Sequence, residues 1–191
     1  IIDENVILSV GSTSELADDT ENYDEVHDLS GHIVLPGLVN THHHLFQNLT
    51  RVVPAAQDHS LFGWLQTLYP IWLNLKPEDF YVAAATGLAE LVLSGCTTSS
   101  DHQYLFPNGS RLDDSIEAAA DVGIRFTATR GSMSIGESKG GLPPDQLCEV
   151  EDSILKDCLR VIDAHHDASE HAMIQIALAP CSPFSVSKGL M

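Results

Sequence analysis

Basic residues, paired cysteines and long apolar runs are all scarce in this sequence, and each shortage excludes a class of protein. Nine Lys and Arg stand against 27 Asp and Glu, which gives a formal net charge of −18. Such a charge repels nucleic acid and anionic membranes, so neither is an expected partner. No stretch approaches about 18 uninterrupted apolar residues, and no secretory signal pattern is present. We therefore expect that the protein has no membrane partner and that its location is cytoplasmic.

Cysteine usage supports the same compartment. The four cysteines are widely spaced, at Cys96, Cys148, Cys158 and Cys181. Without a Cys-x-x-Cys pair they predict neither a disulfide scaffold nor a cysteine-ligated metal site. Their spacing fits a reducing environment.

The length of 191 residues and an apolar content of 43% are sufficient for a hydrophobic core.

The chain divides into a short N-terminal part and a long alternating series. Residues 1–32 carry short apolar pieces between acidic residues, and we expect a few short strands there. From residue 33 onward, strand patterns alternate with helical ones. Such a series predicts a parallel sheet with helices outside it. The predicted strands cover about 33–41, 96–100, 124–129 and 173–179, and the predicted helices cover about 61–74, 77–94, 112–122 and 144–166.

The four βα units are half of those in an eight-stranded (β/α)8 TIM barrel. A doubly wound open sheet also alternates, but its Gly-rich phosphate loop is absent here. We therefore predict that residues 33–191 form the first half of a barrel in a truncated chain. The apolar runs 33–35 and 37–39 predict that strand one is buried. Since half a barrel leaves two sheet edges and much apolar helix surface exposed, we do not expect a stable monomer from these residues alone. Separately, we expect the protein to be a homo-oligomer.

The most informative motif is His42-x-His44, at the end of the first predicted strand. Side chains two apart on a strand point the same way, so both imidazoles can face one metal ion, while His43 faces the opposite side. Neutral imidazole is a common ligand for zinc and iron. Two histidines cannot complete a site, so further ligands must come from elsewhere. The alternative is a pair of hydrogen-bonded histidines at a strand end.

Other polar residues follow the predicted strands, whose carboxyl ends meet at one mouth in a barrel. The amide of Gln47 both donates and accepts, which suits a heterocycle edge, although a surface loop is the alternative. Arg130 could hold a carbonyl oxygen or a carboxylate, and a structural ion pair is its alternative. Cys181 could line the pocket, but no nearby base activates it as a nucleophile.

Two further groups of residues contain histidine. Asp101 and His102, at the end of strand two, could hydrogen-bond a metal ligand from behind, or serve only the loop structure. His165, His166 and His171 resemble a metal tract but precede strand four. They therefore belong to the opposite rim, and we predict a solvated loop there.

The segment Pro36-Gly-Leu-Val-Asn-Thr-His-His-His44 resembles the amidohydrolase superfamily. The pattern His42-x-His44-x-x-Gln47 narrows the resemblance to the purine and pterin deaminase branch. The likeness runs through essentially the whole chain, and its matching stretches are 61–65, 93–98, 104–107, 129–133 and 179–186.

The resemblance implies a (β/α)8 barrel, a small β-sandwich that includes residues 1–32, and one divalent metal held by His42 and His44. Zinc is the expected metal, with iron as the alternative. Dinuclear members carry a bridging lysine at the end of strand four, where this sequence has Pro180-Cys181-Ser182. The remaining ligands, a histidine and an aspartate, would lie beyond Met191. So would the catalytic glutamate and its histidine neighbour.

The resemblance also implies an activity, which is hydrolytic deamination of an amino-purine-like heterocycle. Metal-activated water attacks the amino-bearing carbon, and carboxylates move its proton to the ring and to ammonia. The expected substrate is 8-oxoguanine, with Gln47 at the purine edge and Cys181 at the C8 oxygen. Isoxanthopterin or a hydroxytriazine is the alternative substrate, and an amide or ring hydrolase is an alternative activity. The alternative to an enzyme is a half-barrel that binds metal but is catalytically incomplete.

Overall fold

The structure, a computed structural model, describes residues 1–4, 6–16 and 22–191. Residues 5 and 17–21, which belong to the predicted N-terminal β region, lie outside the described residues. The chain forms two compact units, residues 1–36 and residues 37–191. The sequence predicts a boundary slightly earlier, between residues 32 and 33.

The first unit contains a short antiparallel strand pair. Strand β1 (Ile2–Asp3) pairs with β2 (Val6–Ile7), and Ile2 lies opposite Ile7. A short helix, α1 (Thr13–Leu16), follows them. Membership of this unit in a β-sandwich stays a prediction.

The second unit is built on a four-stranded parallel sheet with the order β3-β4-β5-β6. Each strand pairs in parallel with the next one in the chain, because the intervening helices return the chain to the same end of the sheet. The predicted α/β alternation and parallel sheet are confirmed. The carboxyl ends of all four strands therefore lie at the same edge of the sheet. The strands are β3 (Leu38–Asn40), β4 (Cys96–Gln103), β5 (Arg125–Arg130) and β6 (Ile174–Leu178).

Four helices accompany this sheet: α2 (Leu61–Trp72), α3 (Pro77–Leu93), α4 (Leu112–Val122) and α5 (Glu151–His165). Helix α3 begins with proline, whose missing N–H has no partner in a first turn anyway. Helix α4 ends at Gly123, which adopts a left-handed φ of 76° that favours glycine. Both helices have nearly their predicted bounds. Within the described residues, no helix is long and apolar enough to cross a membrane.

The prediction of a long, buried first strand is wrong. Strand β3 has three residues, and Leu38 and Val39 are 57% and 63% exposed. Ile33 and Val34, predicted to belong to the same strand, are also exposed. The apolar run has the composition of a buried strand, but β3 has a partner strand on one side alone. Strand β3 therefore has more apolar side chains than this sheet buries.

The predicted start of α5 is also wrong. Residues 145–147 form a separate 3-10 turn, and the α-helix begins at Glu151. Between them, the N–H of Glu149 donates to the carbonyl of Met133 at 2.8 Å. This contact with a neighbouring loop draws residues 148–150 out of the helical path.

Two hydrophobic clusters stabilise the second unit. One lies where α3 and α4 cover the sheet and includes the fully buried Leu88, Leu112 and Phe126. The other is aromatic, and in it the ring of Phe46 makes T-shaped contacts with Trp72 at 5.1 Å and with Tyr104 at 5.3 Å between centroids. Such contacts add to the free energy of burying the rings. This aromatic cluster fixes the segment that follows β3 to the end of β4.

Asp113 links α4 to α5 through charged hydrogen bonds. Its carboxylate accepts from Arg160 Nη2 at 2.6 Å and from His165 Nε2 at 3.1 Å. Burial alone would raise the pKa of Asp113, but these bonds outweigh burial and hold the pKa well below its ordinary value of 3.8. Because the folded pKa is the lower one, the stabilisation is complete above the ordinary pKa and is lost as pH falls below it.

We expect Asp113→Asn to lower the free energy of unfolding by about 1 kcal/mol at about pH 7. The value is modest because both Asp113 and Arg160 are about a third exposed. The gap between variant and wild type should narrow as pH falls below the ordinary pKa and be smaller at about pH 3. Urea unfolding of the whole protein at both pH values measures this, with the exposed Asp163→Asn as a control. A gap of equal size at both pH values would contradict the assignment.

Candidate functional site

A cavity of about 1070 Å³ opens at the carboxyl edge of the parallel sheet. Its walls come from the segments after β3, β4 and β6, from α2, and from the loop at 140–143. All predicted site residues except Arg130 line it, namely His42, His44, Gln47, Asp101, His102 and Cys181. The topology thus brings together residues up to 139 positions apart (181 − 42).

The imidazoles of His42 and His44 lie side by side in this cavity. Their ring centroids are 5.2 Å apart, with the planes nearly perpendicular. His44 Nδ1 donates to the backbone carbonyl of His102 at 2.7 Å, which leaves the lone pair of the neutral ring on Nε2. Burial lowers the pKa of His44 and so favours this neutral form. The arrangement is the one that a metal-binding histidine requires.

The donor set fits part of a metal site. Zinc in proteins takes about four ligands, commonly from histidine, cysteine and carboxylates. Within the described part of the chain, no group of three or more such side chains could hold an ion. His42 and His44 can supply two such ligands.

The end of β4 supports the histidine segment from behind. Asp101 is fully buried, and its Oδ1 accepts the N–H of Leu45 at 2.7 Å. Burial raises the pKa of Asp101 from 3.8 to about 7. The ring of His102 donates to the carbonyl of Ala179 at 2.9 Å. The contact with His44 comes from the backbone of His102, which no reasoning from side-chain type could have predicted.

Gln47 reaches the cavity from a 3-10 helix, Leu45–Thr50, that begins directly after His44. Its Nε2 donates to the hydroxyl of Tyr104 at 3.1 Å. Tyr104 lines the same cavity and is almost fully buried. The residue type of Tyr104 predicts no role in a site, because an aromatic residue just past a strand usually belongs to the core.

Cys181 follows β6 and faces the cavity as a free thiol. Its backbone N–H donates to the carbonyl of Ser132 at 2.9 Å, which ties the segment to the end of β5. Burial raises the pKa of Cys181, so the sulfur stays protonated. A protonated thiol is a weak hydrogen-bond donor and a poorer nucleophile than a thiolate.

Arg130 lies outside the cavity, and the structure favours the ion-pair alternative. Its guanidinium is 1% exposed, donates to Glu149 at 2.7 and 2.9 Å and to Asp157 at 2.9 Å, and stacks on Phe106. The reason is strand alternation: Thr129 faces the cavity, so its neighbour faces the helices. The predicted contact between Arg130 and substrate has no support in this geometry.

His43 is a second departure from expectation. It lines the main cavity and also a smaller recess of about 470 Å³ that contains Arg51 and Glu90. Its Nδ1 is buried without a hydrogen-bond partner among the described residues. Because residues 41–44 have left the regular strand, simple alternation no longer decides which way His43 points.

Comparisons with known proteins identify the family of this chain, in which a parallel α/β sheet carries a histidine pair at its carboxyl edge. The amidohydrolase family model matches residues 33–191, and the chain belongs to this family. The 8-oxoguanine deaminase of Pseudomonas aeruginosa is 52% identical over 168 residues, which are 86% of this chain and 37% of that protein. An isoxanthopterin deaminase from an unknown prokaryotic organism is 37% identical over 80% of this chain and 33% of its own length.

Solved structures give the same relationship. The crystal structure of atrazine chlorohydrolase from Arthrobacter aurescens TC1, complexed with zinc, is 35% identical, with a TM-score of 0.75. The match covers 82% of this chain and 36% of that one. The chain thus spans about a third of the length of the relatives that it matches.

Proposed function

We propose that the protein containing this chain is a metal-dependent aminohydrolase that converts 8-oxoguanine to urate and ammonia. The observation that carries the proposal is the pair His42 and His44, whose rings lie together in a large cavity with Nε2 of His44 free to bind a metal. The relative that is 52% identical is an 8-oxoguanine deaminase, which supports this substrate.

The proposed setting is a (β/α)8 barrel of which β3 to β6 are the first four strands, with residues 1–32 in a small β-sandwich. The match of residues 33–191 to the amidohydrolase family supports the barrel part of this setting. The exposed apolar side chains of β3, such as Leu38 and Val39, support it too, because a further strand would bury them. The remaining ligands and the general acid and base would then come from outside these residues.

The proposed cofactor is one divalent ion, with zinc favoured and iron as the alternative. His42 and His44 would hold it, and when bound it supplies Lewis-acid activation of water. The carbonyl of His102 orients the ring of His44, and the carboxylate of Asp101 fixes the adjacent backbone through Leu45. Such support from behind a ligand commonly strengthens metal binding.

The substrate in this proposal is a flat, amide-like heterocycle. Gln47 would hold its edge, since an amide can both donate and accept. Neutral Cys181 would donate to the C8 oxygen of 8-oxoguanine. The net charge of −18 disfavours nucleic acid as a partner, and a homo-oligomer remains part of the proposal.

A substrate panel tests the proposal. Ammonia release by the whole protein is measured with 8-oxoguanine, guanine, isoxanthopterin and a hydroxylated aminotriazine. We expect kcat/KM to be highest for 8-oxoguanine, by about tenfold or more over guanine. A higher value for isoxanthopterin or the triazine would support the alternative substrates within the same family. Failure to release ammonia from any of them would favour an amide or ring hydrolase, or an incomplete metal-binding half-barrel.

Replacing Cys181 tests the contact at the C8 oxygen. We expect Cys181→Ala to reduce the ratio of kcat/KM for 8-oxoguanine over guanine by about fivefold to tenfold, because one donor to that oxygen is lost. Cys181→Ser, which keeps a donor, should retain most of the ratio. If the ratio of the two kcat/KM values is unchanged in the alanine variant, Cys181 has no role in recognising the C8 oxygen.

A further inference from the structure

Tyr104 is packed against other rings on several sides. It is 4% exposed and lies just past the end of β4. Its ring makes T-shaped contacts with His44 and with Phe46, each at 5.3 Å between centroids, and it lies 5.5 Å from the ring of His102. Packing on several sides fixes the direction in which its hydroxyl points.

The hydroxyl of Tyr104 is more than part of the core. A phenylalanine ring would make the same packing contacts, so the hydroxyl must have a polar function or leave a buried polar group unsatisfied. It accepts the N–H of Gln47 Nε2 at 3.1 Å.

This hydrogen bond decides what Gln47 can offer to a ligand. A free glutamine side chain has several rotamers, and ordering it opposes binding. Once one N–H is bound to Tyr104, the amide plane is fixed, and Oε1 and the second N–H remain for another partner. Both Gln47 and Tyr104 line the cavity.

We propose that Tyr104 is a positioning residue that acts through Gln47: its hydroxyl holds the Gln47 amide in the orientation that contacts the heterocycle edge. This role rests on the proposed function, because it concerns the same substrate in the same cavity. The ring of Tyr104 packs on His44 independently of the hydroxyl, so removing the oxygen alone separates substrate positioning from metal binding.

A double-mutant cycle tests the role. The wild type, Tyr104→Phe, Gln47→Ala and the double variant are compared in the whole protein, with kcat and KM for 8-oxoguanine and bound metal per chain as readouts. We expect Tyr104→Phe to raise KM about tenfold, with kcat changed less than about threefold and metal content unchanged. This pattern is typical of losing an interaction that stabilises the bound substrate and the transition state equally. The double variant should be no worse than Gln47→Ala alone, because Tyr104 acts through Gln47.

Tyr81→Phe is the matched control. It removes a phenol that donates to Asp121 at 2.7 Å, outside the cavity, and should leave KM unchanged. A KM for Tyr104→Phe within about twofold of wild type would overturn the positioning role. So would effects of the two single variants that multiply in the double variant, or a loss of metal in Tyr104→Phe. A wild type that is inactive on every heterocycle of the panel would overturn the proposed function together with this inference, whereas an active wild type with unaffected variants would overturn the inference alone.

Discussion

His44→Ala is expected to remove the bound metal and to lower kcat/KM for 8-oxoguanine by about 10³-fold or more. A catalytic metal contributes several kcal/mol to transition-state stabilisation, and each ~1.4 kcal/mol is a factor of ten. His44 is the better oriented of the two histidines, since its Nδ1 is bound to the carbonyl of His102 at 2.7 Å. Elemental analysis of the purified variant, beside its kinetics, measures both effects. We expect His42→Ala to behave in the same way.

The control for His44→Ala is a histidine of the same chain in another environment. His27→Ala removes a 73% exposed side chain that pairs with Glu25, and should change neither metal content nor kcat/KM. If His44→Ala retained one metal per chain and activity within about tenfold of wild type, the imidazole pair would be a structural feature of the strand end.

The second large effect concerns stability. We expect Arg130→Met to lower the free energy of unfolding by about 3 kcal/mol or more, because Glu149 loses its charged partner and Asp157 is left with its bond from Arg160. Glu149 and Asp157 are both about three-quarters buried and both bind this guanidinium. Urea unfolding of the whole protein measures the loss. In the folded fraction, kcat/KM should change less than about threefold, since Arg130 lies outside the cavity.

Arg51→Met provides the comparison for Arg130. Arg51 binds Glu90 through two hydrogen bonds, like the pair of Arg130 and Glu149, but its side chain is 48% exposed. An exposed pair of this kind contributes about 1 kcal/mol or less. Equal losses in the two variants would contradict the assignment of a buried network. If kcat/KM fell more than about tenfold in Arg130→Met, the result would support the predicted contact between Arg130 and the substrate.

Sequence periodicity was sufficient for the parallel sheet and for the edge at which the site lies. The alternation of apolar strands with amphipathic helices recurs through the second unit, and Pro77 and Gly123 mark helix ends by their own backbone preferences. Because carboxyl ends of parallel strands share one edge, His42 and Cys181 could be placed in one cavity without any three-dimensional information.

Errors arose where tertiary contacts compete with local pattern. The apolar composition of strand one predicts burial, yet Leu38 is 57% exposed because burial depends on neighbours that sequence periodicity does not specify. The start of α5 moved to Glu151 because Glu149 is held by Met133 and Arg130. Neither contact partner is local in sequence.

The direction of a side chain at a strand end was the least predictable feature. Arg130 and Thr129 both end β5, and one residue of register decides which of them faces the cavity. His43 faces the cavity because its segment is no longer a regular strand. Tyr104 was missed because its signal is a hydrogen bond to Gln47, 57 residues away, rather than its residue type.

The most direct test is a titration of metal-free whole protein with zinc, with urate and ammonia formed from 8-oxoguanine measured at each metal loading. The account predicts that activity rises in proportion to bound zinc and reaches its maximum at about one ion per chain. It also predicts that the His44→Ala variant neither binds zinc tightly nor gains activity. Full activity without metal, or zinc bound with no urate formed at any loading, would contradict the proposed metal-dependent deamination.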